Sequence, residues 1–166
     1  MKKQINNIII VFTLKIFIFL SGPVFSADEF NSGSSNYVVK GFTVIDLRNG
    51  ISWMRCSLGQ SYSNNQCNGD AVRLNHQQIK EAIKIANLEL GGIWRLPSKR
   101  ELELLVCANC DPPKIDKKSF PSTSKEPYWT GQKNWISPKN FWSINFMTGY
   151  SYGRFFPDKE LAVRLV

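Results

Sequence analysis

Apolar positions change their spacing along the chain, and the spacing predicts the elements. Tyr37 to Ile45 is rich in β-branched and aromatic residues. Phe42 to Asp46 and Ile51 to Met54 then read as two strands joined by Leu47-Arg48-Asn49-Gly50, because Asn49 and Gly50 both tolerate positive φ. Cys56 to Asp70 is rich in Ser, Asn, Gly and Gln and reads as a loop. From Asn75 to Leu90 the period becomes helical. Ile79, Ala82, Ile83, Ala86 and Leu90 share one face, while Lys80, Lys84 and Asn87 lie on another. Gly91-Gly92 ends that helix. Ser98 opens a second helix with an S-x-x-E capping box to Glu101, and Leu102, Leu105 and Val106 form its buried stripe. Asp111-Pro112-Pro113 is expected to stop it.

Beyond Ser119 the pattern is short and strand-like. Tyr128 to Thr130 is one strand, Phe141 to Phe146 and Tyr150 to Phe155 form a hairpin around Met147-Thr148-Gly149, and Leu161 to Val166 is a terminal strand. The expected class is α+β, with two helices packed on short antiparallel strands. Strands at both ends of the domain are expected to pair and bring the termini together.

The first 26 residues follow a different logic. Lys2 and Lys3 precede a 13-residue apolar run from Ile8 to Leu20, and Ser21-Gly22-Pro23 breaks it. Val24-Phe25-Ser26 offers small residues at the −3 and −1 positions, so cleavage is expected between Ser26 and Ala27. A membrane span needs about 20 apolar residues, and Lys15 interrupts this run. Residues 1–26 therefore read as a signal peptide, 27–36 as a flexible leader and 37–166 as one domain. The expected location is exported: periplasm, outer surface or medium, with no membrane span after cleavage.

Charge matters only after that trimming. The chain of 166 residues carries a formal charge of +8, and loss of Lys2, Lys3 and Lys15 takes it to +5. Much of the bias lies in residues 113–139. There Lys114, Lys117, Lys118, Lys125, Lys133 and Lys139 outnumber Asp116 and Glu126, with Phe120, Tyr128, Trp129 and Trp135 interleaved. Lysine heads pair with sulfates or carboxylates, and an exposed Trp135 can stack on the C–H face of a sugar. These six lysines and Trp135 are the candidate ligand-binding residues. The bland alternative is a solvated loop with aromatics filling a core. Nucleic acid would satisfy the same charge, but an exported domain meets it less often.

Candidate catalysts are scarce. The single His, His76, sits in the first turn of the first helix and is expected to face solvent. No G-x-S-x-G surrounds a nucleophile. Glu101 and Glu103 point to different helix faces. Asp111 and Asp116 flank Pro112-Pro113, on spacing too weak to assign a cation. The four Cys allow three pairings in an oxidising compartment, of which Cys56–Cys67 with Cys107–Cys110 is favoured. Redox CxxC pairs sit at helix N-termini, whereas Cys107 falls at a C-terminus, where the dipole raises a thiol pKa. No enzyme activity, metal or cofactor is expected. Arg95 is open to two readings: a ligand-binding cation, or a structural tie to Glu101 or Asp46.

Several segments also resemble, as an ordered set, the Lcl C-terminal domain family, named for a collagen-like bacterial adhesin. They are GFTVIDLRNGISWMRCSLGQ, WRLPSKREL, PPKIDKKSFPS, PYWTG, FWSINFMTGY and the terminal AVRLV. The resemblance implies an exported domain with a fold related to C-type-lectin-like and formylglycine-generating-enzyme-like domains. In the namesake adhesin the domain binds sulfated glycosaminoglycans. This chain lacks a Gly-X-Y collagen region, and Glu126-Pro127-Tyr128 keeps only two residues of the calcium-lectin signature. The expected partner is an anionic polysaccharide or envelope polymer. The alternative is a protein partner, with the chain a structural or interaction subunit of a surface assembly such as a pilus.

Overall fold

A computed structural model describes residues 36–166. The expected signal peptide, and all of the leader but Asn36, lie outside the described residues. Three strands open the domain: β1 (Tyr37–Lys40), β2 (Thr43–Asp46) and β3 (Ile51–Met54), in antiparallel order β1-β2-β3. Asp46 makes the second turn. Its carboxylate accepts the Arg48 and Asn49 backbone N–H groups (3.0 and 3.1 Å) and the Asn49 side-chain amide (2.7 Å). Gly50 closes it at φ +64°, donating to the Asp46 carbonyl (2.8 Å).

The expected loop from Cys56 to Asp70 is not structureless. It carries a small hairpin, β4 (Ser61–Ser63) with β5 (Gln66–Asn68), turned by Asn64 and Asn65 at φ +50° and +61°. Two consecutive positive φ angles match the twist of a two-residue hairpin. Polar strand residues hid it from a hydrophobicity pattern. The Cys56–Cys67 bridge staples it, for on the order of 2–3 kcal/mol by loop closure. Cys107–Cys110 is also bridged, so the favoured pairing is the one found.

After the short β6 (Arg73–Leu74) comes α1 (His76–Glu89). Asn75 caps it, accepting from the Gln77 and Gln78 N–H groups while Gln78 reaches back. Ile79 and Ala86 are buried as expected, but Leu90 is exposed, and Asn87 is not a simple solvent residue. The Asn87 side-chain oxygen accepts the Trp94 N–H at 2.6 Å, holding the chain just past the double glycine. Helix α2 (Lys99–Leu104) starts at the expected Ser98–Glu101 capping box and ends at Leu105, well before the prolines expected to stop it. The Cys107–Cys110 turn therefore lies beyond the helix.

The main sheet has five strands: β6, β7 (Pro127–Lys133), β8 (Phe141–Asn145), β9 (Tyr150–Phe155) and β10 (Leu161–Ala162), in the order β6-β10-β7-β8-β9. It is antiparallel except where β10 runs parallel to β7. The terminal strand thus pairs with β6 and β7, not with β1. Past Ala162 it stays extended and knits the domain together. Leu58 N–H donates to the Val163 carbonyl (2.9 Å), Met54 N–H to that of Leu165 (3.0 Å), and Arg95 and Val166 exchange two bonds (2.9 and 3.0 Å).

Side chains on this segment alternate between two cores. Leu161, Val163 and Leu165 join Ile79, Ala86, Trp94 and Trp129, the core roofed by α1. Ala162 and Val166 join Val44, Trp53, Leu102, Tyr128 and Phe146, the core covered by α2 and the first sheet. Arg164, fully buried, stands between the latter two. Its guanidinium donates to the carbonyls of Met54 (2.8 Å) and Arg55 and to the hydroxyl of Thr123 (2.8 Å), and lies 5.0 Å from the Phe120 ring centre. Among the described residues its ion-pair partner is no carboxylate; backbone dipoles, a hydroxyl and a ring hold the charge.

Arg95 settles as a structural tie. It grips Glu101 with two bonds of 2.8 and 2.6 Å, and Glu101 also accepts the Ser98 N–H at 2.7 Å. The Arg95 hydrogen bonds are the main reason the Glu101 pKa is held down to about 2.

Among the described residues no helix is long and apolar enough to cross a membrane. Removing Arg164 should be costly, since each buried acceptor left unpaired costs roughly 1–3 kcal/mol. Arg164→Ala is expected to lower the unfolding free energy by several kcal/mol in urea titration. Arg164→Lys, which restores the charge without the fork, should recover only part of it. An alanine variant as stable as the native chain would contradict this role.

Candidate functional site

Lysines close in sequence are not close in space when a strand runs between them. Lys125 precedes β7 and Lys133 ends it, so a strand on the order of 20 Å long, at ~3.3 Å per residue, runs between them. Lys117 and Lys118 are exposed on the turn made by Asp116, which accepts the Lys118 N–H (3.0 Å) and the Ser119 hydroxyl (2.6 Å). Lys114 has a structural task. Its ammonium donates to the carbonyls of Ala108 (2.8 Å) and Cys110 (3.2 Å), bracing the disulfide turn. Of the seven candidate ligand-binding residues, Lys133 and Lys139 line one cleft, and Trp135 lies between them in sequence.

Trp135 and Lys139 lie on the β7–β8 connection, residues 134–140, and Lys133 immediately precedes it. Asn134 organises this connection. Its N–H donates to the Asn140 carbonyl (2.8 Å), its side-chain oxygen accepts the Ile136 N–H (3.0 Å), and its side-chain nitrogen donates to the Gly153 carbonyl on β9 (2.8 Å). A side chain at 153 would clash, because a Cβ there would lie 2.7 Å from the Asn134 amide and 2.9 Å from the Trp142 ring. The loop is thus tied at both ends and to the next strand. It nonetheless leaves Trp135 82% exposed and Ile136 72% exposed. Leaving so large a ring in water gives up the 150–250 Å² of burial typical of an aromatic side chain.

Under the loop lies an open cleft of about 580 Å³. Lys133 and Lys139 line it together with Lys80 of α1. Phe141 and Phe156 supply apolar surface, and His76 lies at the base. Lys80 was not among the candidates from sequence. The signal that could have found it is helical: it lies four residues after His76, hence on the same face.

His76 does not face solvent as expected. Its ring packs against Phe141 (3.8 Å between centres) and Trp129 (4.6 Å, edge-on), because the Asn75 cap turns the first helical residue inward over β7 and β8. Its backbone N–H is taken by the Pro157 carbonyl (2.9 Å). The Nε2 atom is buried with no hydrogen-bond partner among the described residues. Burial, then the Lys80 charge, lowers the pKa to about 4.

That lowered value carries a sign. The unfolded chain takes up a proton near pH 6.5, while the folded chain waits until about pH 4. Stability present above pH 6.5 is therefore lost as pH falls toward 4. Glu101 loses its contribution only below pH 4.5, so the two effects separate. The ring is only partly buried, so solvent screening trims the loss to about 1 kcal/mol. Melting temperatures between pH 7 and 5 should fall for the native chain and stay flatter for His76→Phe.

The comparisons with known proteins bear on the frame that carries this site. No curated protein and no solved structure matches the chain. A family profile described as the Lcl C-terminal domain matches residues 42–166, from the turn before β2 to the last residue of the buried terminal strand, so the β7–β8 loop and its cleft fall inside the matched region. On that match over most of its length, the chain belongs to the Lcl C-terminal domain family.

Proposed function

We propose that this protein is an exported binding module that recognises anionic glycans or cell-envelope polymers, without catalysis or a cofactor. One observation carries the reading: a loop stiffened by Asn134 presents an 82% exposed Trp135 between two exposed lysines, Lys133 and Lys139. An indole offers a flat apolar face to a sugar ring, and flanking ammonium groups offer charge to its sulfates or carboxylates. Membership of a family named for a surface adhesin supports the reading, as do two disulfides suited to an oxidising compartment. A C-type-lectin-like ancestry belongs to the same proposal.

A second reading has its own observation. Ile85, Leu88, Leu90 and Ile93 are exposed apolar residues at the end of α1 and in the double-glycine turn, with Leu88 and Ile93 at 85% and 90% exposure. Apolar exposure concentrated at one helix end suits a protein partner, as in a structural subunit of a surface assembly.

Heparin chromatography separates the readings. The glycan reading expects retention at low salt that collapses at moderate salt, because polyanion binding releases counterions. Trp135→Ala should elute earlier, with an unchanged melting temperature. Retention no greater than that of a neutral protein of equal size would defeat it. Recovery of the chain in a stoichiometric envelope complex that Leu88→Glu disrupts would favour the structural reading.

A further inference from the structure

We infer that the cleft between the first turn of α1 and the β7–β8 loop is a subsite for one acidic sugar residue of such a polymer, its carboxylate or sulfate held by Lys80, Lys133 and Lys139 and its ring laid on Phe156. This deepens the binding-module reading and rests on it. Lys80, Lys133 and Lys139, from two separate parts of the chain, line a space of about 580 Å³, within the roughly 300–1,000 Å³ usual for small-ligand sites. Among the described residues no carboxylate lines it. Glu81, next to Lys80 in sequence, pairs with Lys84 (3.0 Å), and Asp158 and Glu160 line the neighbouring cleft. The lysines are therefore not neutralised from within.

The apolar surface is equally specific. Phe141 is committed to the fold, with His76 packed at 3.8 Å and the Lys133 ammonium 5.8 Å from its ring centre. Phe156 is 55% exposed and free to receive a ring. Pro138 and Pro157 border the space and hold its walls with little conformational freedom to lose. An anion with no apolar face would use only half of this lining. A sugar bearing one acid group uses both halves.

The single histidine makes the site observable. His76 is the one His of the chain and lines the cleft, so its ring signals in NMR report occupancy without a label. The purified protein is titrated with a heparin tetrasaccharide (sulfate and carboxylate), tetragalacturonate (carboxylate alone) and an eight-residue oligothymidylate (phosphate). The expected result is a saturable shift of the His76 ring signals by the sulfated sugar, by the carboxylated sugar, or by both, which names the acid group. The oligonucleotide should leave them unmoved. Replacing Lys80, Lys133 and Lys139 together by Ala should weaken sugar binding about tenfold or more, and Phe156→Ala should weaken it without altering the melting temperature. Replacing Lys117, Lys118 and Lys125 should change it less than twofold. Sugar binding that leaves His76 unmoved, or that suffers equally from either lysine set, would overturn the subsite and leave the binding module standing. An equal shift by the oligonucleotide would overturn the sugar assignment. If no polyanion binds at all, the module reading falls and the subsite with it.

Discussion

A single buried guanidinium sets the conditions for this fold. Arg164 sits in a fully enclosed position on the last extended segment, and burial lowers its pKa. An unpaired charge in such a place is untenable unless neighbouring dipoles converge on it. They do so only if the end of β3, the Thr123 turn and the Phe120 ring all occupy their native places at once. The charge thus acts as a specification. Its two terminal nitrogens are satisfied by one arrangement of two segments, residues 54–55 and 120–123, although Nε keeps no partner among the described residues, and compact alternatives leave the charge stranded. A leucine there would fit many arrangements.

The rest of the frame follows from the strand that carries it. Alternation along residues 161–166 gives each core three positions, with Arg164 filling one, so neither core can form without the other. Val166 exchanges bonds with Arg95, and Arg95 in turn holds Glu101 at the start of α2. On the other side, β10 lies parallel to β7, fixing Tyr128 in one core and Trp129 in the other. The Trp129 indole N–H reaches the Leu74 carbonyl (2.9 Å), which sets the chain just ahead of the Asn75 cap. The cleft between α1 and the β7–β8 loop is therefore positioned by β7, and β7 by the terminal strand.

Much of this frame was legible in the sequence because local rules act within a few residues. Ser98 with Glu101, Asn49-Gly50 and Met147-Thr148-Gly149 each encode a cap or a turn in adjacent positions, and each forms where expected. The two disulfides follow from sequence separation in the same way. What escaped depends on partners far along the chain. The β4–β5 hairpin is too polar to show in an apolar pattern. The terminal strand was visible, but its neighbours were not, since pairing with β7 is a tertiary choice. His76 read as exposed because helical position alone does not reveal that Phe141, 65 residues later, packs against it. The six lysines looked like one patch because they share 27 residues; a strand and a brace at Lys114 distribute them differently. Lys80 joins two of them from another element altogether.

The same separation explains how a basic cleft is tolerated. Three ammonium groups around a small space repel one another, and a charged imidazole at its base would add to the repulsion. Packing against Phe141 and Trp129 desolvates His76 and keeps it neutral through the mildly acidic range. The lysines themselves are solvent-exposed, and in water two like unit charges even as near as ~4 Å repel by only about 1 kcal/mol, screened further by salt. The charge therefore costs the fold little while the cleft is empty. An incoming anion excludes that water and lowers the effective dielectric between itself and the ammonium groups, so attraction strengthens as the space fills. Phe156, also exposed, gains burial in the same step. Both contributions stay small in the free protein and grow on occupancy, as a site that must be soluble when empty and selective when filled requires.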